Sequence, residues 1–172
     1  MEPSQNPYQA PQAVLLEEHS AAQPLLASRG ARLGAVLIDT LLLALVSVPI
    51  AFFDGTLSAA QQGIEPSLGQ QLLSLLVGLV AFVLIHGYLL KHYGQTVGKR
   101  LLNIAIVDLQ GNVPDFLPML AKRYVLLWVV ASIPLAGGLI ALVDCLSIFR
   151  GDRRCLHDLV AATRVVMVPA RA

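Results

Sequence analysis

The sequence predicts an all-α transmembrane protein: two full spanning helices, a kinked C-terminal apolar helix pair or hairpin, and a small cytoplasmic strand element. Three observations predict it. Of 172 residues, 56% are hydrophobic and only 13% charged, against about 25% charged in an ordinary soluble domain. The apolar residues gather into long runs, for a mean hydropathy of +0.68. The basic residues avoid the loop Asp54–Gly69 and gather in Lys91–Arg123 and from Arg150 onward, as in a membrane protein with a cytoplasmic side.

The chain begins with a polar stretch rich in Pro, Gln, Ala and Ser, with four prolines in residues 1–27. It has no basic leader followed by a compact apolar core, so it reads as a disordered tail rather than a signal peptide. Leu33–Phe53 is the first apolar segment. Its 21 residues, at about 1.5 Å each, cover the roughly 30 Å of a bilayer core. Pro49 lies near its end, where a kink is tolerated. A polar loop, Asp54–Gly69, leads to the second segment, Gln70–Leu90, whose Ser74, Gly78 and Gly87 permit close helix approach. The glycine-rich stretch Gly94–Arg100 (GQTVGKR) follows. It lacks the glycine spacing of a phosphate-binding loop and has Arg100 where that loop needs Ser or Thr. It reads instead as an interfacial turn with Lys99 and Arg100 at lipid headgroups.

Ile104–Phe116 changes character: β-branched residues, then a turn near Gln110–Asn112, suggest a strand and a partial return. Thr163–Val168 is a second β-branched run, and pairing of Leu101–Val107 with Thr163–Val168 is expected at the cytoplasmic face. Between them lies the last apolar stretch, Tyr124–Phe149, interrupted by Pro134, Gly137 and Gly138. Its legs, Leu117–Ile133 and Leu139–Phe149, are short of the roughly 20 residues that one crossing needs. Charge decides between one span and a hairpin. The loop Asp54–Gly69 carries no Lys or Arg, Lys91–Arg123 carries five, and the tail from Arg150 carries five more. The positive-inside rule then makes the stretch a hairpin, with both termini cytoplasmic. The expected organisation is a tail at 1–27, a membrane domain at 28–168 and a C-terminal tail at 169–172.

The candidate functional residues are charges inside apolar sequence. A carboxylate such as Asp39 near the middle of a span costs about 2.5–3.5 kcal/mol, so it must be paired, protonated or facing water. It is either a proton or cation site or a buried anchor between helices. Arg32 lies two turns earlier on the same helix face, too far for direct contact, so each needs a partner from another element. The candidates near Arg32 are Asp158 and the Arg150–Arg154 collar, whose Arg150, Arg153 and Arg154 also suit lipid headgroups. Asp144 is a second carboxylate in apolar sequence, paired with Arg123 or placed near the interface. His86 reads as a polar anchor at interfacial depth, and His157–Asp158 as a pH-sensitive pair or a plain cap or salt bridge.

Cys145 and Cys155 match no zinc or redox spacing and read as reduced and structural. No nucleophile, base and acid fall into a catalytic pattern. No enzyme activity, metal or cofactor is therefore expected. No basic patch stands apart from the membrane flanks, so nucleic acid is not an expected partner. The expected partners are the lipid bilayer and either further copies of the chain or another membrane protein.

Three segments occur in a telling order: RLGAVLID at Arg32–Asp39, GQTVGKRLLNI at Gly94–Ile104 and LHDLVAATRVV at Leu156–Val166. Together they resemble the RDD family of bacterial membrane proteins, named for one arginine and two aspartates, over roughly Ser28–Val168. The resemblance matches Arg32 to the arginine and Asp39 to the first aspartate. It matches Asp158 to the second, with Asp144 as the rival, and Arg123 to a basic position before the last apolar region. It implies a bacterial inner-membrane protein, with transport suggested. Two functions follow as expectations: a small transport component for protons, cations or another solute, or a non-transporting module that binds protein or lipid.

Overall fold

The computed structural model describes residues 25–133 and 136–169. The expected disordered tail up to residue 24, the break at Pro134 and the last three residues lie outside the described residues.

Two long apolar helices dominate. α1 (Arg29–Phe53) starts four residues before the apolar run, because Ser28 caps it by accepting the Ala31 amide at 3.1 Å. Pro49 sits inside without ending it. The expected polar loop contains a short helix, α2 (Thr56–Gln61). α3 (Leu68–Tyr93) is entered through a reciprocal capping box between Ser67 and Gln70 and stopped by Gly94 in the left-handed conformation, φ 62°. Both α1 and α3 are long and apolar enough to cross a membrane.

The glycine-rich stretch is a capped helical turn rather than an open exit. Thr96 caps α4 (Val97–Leu101), and α4 folds back against α1. The backbones touch: a Cβ on Gly98 would stand 2.3 Å from the Ala35 carbonyl oxygen. Leu101 is therefore helical, and β1 covers Ile104–Asp108. No return strand follows it; Asp108 instead accepts amides of Gln110 and Asn112, closing a turn. β1 pairs antiparallel with β2 (Thr163–Met167), with Ile104 opposite Met167 and Asp108 opposite Thr163. Leu25–Ala27, placed by the sequence in the tail, runs along the other edge of β2 through the Leu26–Val166 bridge.

The last apolar stretch is a helix pair. α5 (Phe116–Leu120) passes through one π-helical turn, Ala121–Val125, into α6 (Leu126–Ala131). α7 (Ala136–Leu146) and a 3₁₀ turn, Ser147–Phe149, form the second leg, and α8 (Leu156–Val160) leads into β2. Arg123 near the start and Asp144 near the end both meet α8, at Asp158 and His157. The two legs therefore run out and back.

The core lies at one end. Ala27, Ala35, Phe82, Leu90, Ile104, Ile106, Met119 and Val165 are buried together where the sheet meets α1, α3 and α5. Farther along, Leu41, Leu45, Phe52, Leu72 and Leu76 are exposed. Only 6% of the most apolar window of α1 is buried, and 17% of that of α3. Apolar surface on that scale is not stable against water, and it marks a membrane-associated protein.

Candidate functional site

The buried charges fall into two clusters at the sheet end of α1. The first is built on Asp39, which its helix alone cannot satisfy. α4 supplies the missing donors: the Thr96 hydroxyl at 2.5 Å from one oxygen and the Gly98 amide at 2.8 Å from the other. Lys99 Nζ stands 4.0 Å from the carboxylate and His86 Nδ1 3.9 Å from it. His86 comes from α3 and is fully buried, its ring 4.8 Å from that of Phe82. Nδ1 accepts the Val97 amide at 3.2 Å, which leaves the proton on Nε2. That N–H is buried and has no partner among the described residues. A lysine and an imidazole thus each lie within 4.0 Å of a fixed carboxylate, all three largely buried.

The second cluster is built on Asp158, with none of its surface exposed. Arg32 from α1 donates to one carboxylate oxygen and Arg123 from the π-helical turn to the other. The extra residue of the π turn rotates Arg123 inward, where it also donates to the Thr163 hydroxyl at 2.7 Å. The Cys155 amide donates to Asp158 at 3.0 Å, and Arg32 also donates to the Arg153 carbonyl. One carboxylate thereby ties α1, the helix pair, α8 and the sheet together. Burial alone would raise the Asp158 carboxyl, but Arg123, His157 and Arg32 overcome it and hold the group well below the usual carboxylate range.

Beside it, His157 gives its amide to Asp144 at 3.0 Å and holds Nδ1 within 2.8 and 2.9 Å of the two carboxylate oxygens. Burial and then Arg123 lower the His157 pKa, so the ring is neutral and donates to Asp144 through Nδ1. Donor atoms of Asp144, Cys155 and His157 lie within 4.8 Å of one another, close enough for a metal ion. Two facts oppose one. Burial pushes the Cys155 thiol up to about 11, and the Arg32 guanidinium stands 3.5 Å from its sulfur, placing positive charge where a cation would go.

Against the sequence expectations, Arg32, Arg123 and Asp158 are brought together and Asp39 is held apart. Asp144 does not pair with Arg123; Asp158 takes that guanidinium, and the His157 ring is the nearer donor to Asp144. His86 is fully buried against α4, accepting the Val97 amide, rather than standing as an exposed anchor. Lys99 is turned inward, only 7% exposed, since Asp39 is the nearest counter-charge. Arg153 and Arg154 are half-buried and spend their guanidiniums on backbone carbonyls of Ala27 and Thr163, 3.2 and 3.0 Å away. Of the collar only Arg150 is exposed, paired with Asp152. Thr96 and Thr163 are site residues that the charge pattern passed over. Thr96 carries a signal all the same, a Thr directly ahead of a helical turn.

A cleft of about 500 Å³ opens between α1, α3 and α6 on the side away from the sheet, lined among others by Ser47, Ser74, Gly78, Ser132 and Trp128. Leu43 and Ala81 line it too. Leu43 is one helical turn from Asp39, and Ala81 is little more than one turn from His86.

The RDD family model matches residues 26–162. The chain is 34% identical over 136 residues to the uncharacterized protein YckC of Bacillus subtilis, covering 78% of this chain and 80% of that one. It is 33% identical over 94 residues to an uncharacterized protein of Haemophilus influenzae, covering 52% of this chain and 56% of that one. No solved structure matches. With a match over residues 26–162, which takes in both charge clusters, the chain belongs to the RDD family.

Proposed function

We propose that this protein is a small multi-pass transport component of the bacterial inner membrane, passing protons or small cations by way of Asp39. One observation carries the reading: the cleft between α1, α3 and α6 ends about one helical turn from Asp39 and His86. The lining suits that use, since it is mostly apolar with a few hydroxyls. Among the described residues the buried Nε2 donor of His86 has no partner, which supports a role beyond packing. On this reading α4 is the inner closure, with Lys99 holding the charge of Asp39 while no cation is present. Both termini are cytoplasmic and Asp54–Gly69 is periplasmic on this reading, because that loop carries no Lys or Arg while Lys91–Arg123 and the segment from Arg150 carry five each.

A second reading, a non-transporting module that binds a membrane protein or lipid, is favoured by the Asp158 cluster. Every charge there is spent on joining elements, while long faces of α1 and α3 are left for neighbours. One experiment separates the two. Purified protein in liposomes with an internal pH-sensitive dye is compared with Asp39→Asn, and the thermal stability of both is measured. Transport predicts a folded variant without flux. If wild type moves no protons or cations, or if Asp39→Asn keeps its flux, the transport reading fails.

A further inference from the structure

A second cleft lies at the opposite end of α3, against the sheet. Its volume is about 640 Å³, and His92, Tyr93, Gln95, Arg100, Asn103 and Val113 contribute to its walls. No Asp or Glu among the described residues lines it. Among the described residues Arg100 is its one permanent charge, and that guanidinium has no carboxylate partner there. Lys99, Arg32 and Arg123 all have one.

Arg100 is also held in place. Its guanidinium carbon lies 4.9 Å over the Tyr93 ring, and Nη1 donates to Gln95 Oε1 at 3.3 Å. Gln95 is itself oriented by donating to the Ile104 carbonyl at 2.9 Å. The stacking and the single hydrogen bond fix the plane of the fork and leave its remaining N–H groups for an acceptor. A half-buried fork, pre-set and short of a counter-charge, is what planar recognition of a phosphate requires.

The position of the cleft names the source of that phosphate. His92 and Tyr93 are the last residues of α3. A helix of 26 residues is about 39 Å long, more than the hydrocarbon core, so its ends reach the headgroup layer. We propose that this cleft seats the phosphate of an anionic phospholipid of the cytoplasmic leaflet, with Arg100 as the binding residue. The proposal needs α3 to cross the bilayer; it does not need transport.

The test uses the full chain, purified and titrated in nanodiscs and by native mass spectrometry with phosphatidylglycerol and with phosphatidylcholine. Wild type should retain phosphatidylglycerol in preference, and Arg100→Gln should weaken that retention about tenfold. Val113→Glu, at an exposed position on the wall, sets a competing carboxylate in the cleft without touching the core. It should abolish the preference while leaving the melting temperature unchanged, which covers the case of an unfolded Arg100→Gln. Equal retention of the two lipids, or unchanged preference in a folded Arg100→Gln or Val113→Glu, overturns the proposal. So does inorganic phosphate binding that depends on Arg100 while the lipids do not discriminate, since the site would then belong to a soluble anion.

Discussion

Asp158 shows what one buried carboxylate can hold. Two guanidiniums from distant segments meet on it, and removing it leaves both buried without a counter-charge. Breaking such a pair costs about 3–5 kcal/mol, because the orphaned charge keeps its desolvation penalty. Asp158→Asn should therefore lower the melting temperature or the folded yield sharply. Arg32→Met should cost less in the Asp158→Asn background than alone, which a double-mutant cycle in thermal unfolding checks. His157 makes the cluster sensitive to pH. Its ordinary value is 6.5, and burial and Arg123 lower it in the folded protein. Above 6.5 both states are neutral and His157 adds no pH dependence. As the pH falls below that value the unfolded chain takes up the proton first, so stability declines until the lowered folded value is passed. Melting temperatures of detergent-solubilised protein between about pH 7.5 and about pH 5 should fall, and His157→Gln should flatten that fall. An unchanged slope in the variant would assign the proton to another group.

At the scale of elements, α4 decides how Asp39 is satisfied. Its contact with α1 depends on Gly98, where a Cβ would meet the Ala35 carbonyl oxygen at 2.3 Å and the Asp39 carboxylate at 3.0 Å. Gly98→Ala must push α4 away and uncouple the Thr96 and Gly98 donors from Asp39. A destabilisation of about 1–3 kcal/mol is expected from overpacking alone. Gly98→Ala should lose stability and Asp39→Asn should not add its full effect on top, because both act on one contact. Glycine at 94 answers to a different constraint: a side chain there is strained by its φ of 62° and would meet the Ile106 carbonyl oxygen at 2.3 Å. The two long helices were legible as apolar runs, and the pairing of the β-branched stretches was legible from their composition. α4 was not, since five residues are too few to show a helical period. The π turn was equally silent, because an inserted residue leaves no mark on hydropathy.

The whole molecule is asymmetric, packed at the sheet end and bare along the outer lengths of α1 and α3. A bilayer accounts for that bareness, and it sets the topology test. Single cysteines at Ser58 and Ala170, introduced into a chain without Cys145 and Cys155, should react differently with an impermeant maleimide on intact cells. Ser58→Cys should label from outside and Ala170→Cys only after permeabilisation; outside labelling of Ala170→Cys would reverse the reading of the last helix pair.

Composition and order along the chain determined that this is a membrane-associated RDD protein with two long apolar helices and a small sheet, because hydropathy and motif order are properties of the chain itself. They also singled out Asp39 and Asp144, since a charge in apolar sequence is costly wherever it ends up, and motif order added Arg32, Arg123 and Asp158. Only the tertiary structure decided who meets whom: Asp158 with two arginines, Asp144 with His157, Asp39 with the donors of α4. Charge compensation acts over a few ångströms in three dimensions, across separations of up to 126 residues along the chain, and no spacing rule in one dimension contains it.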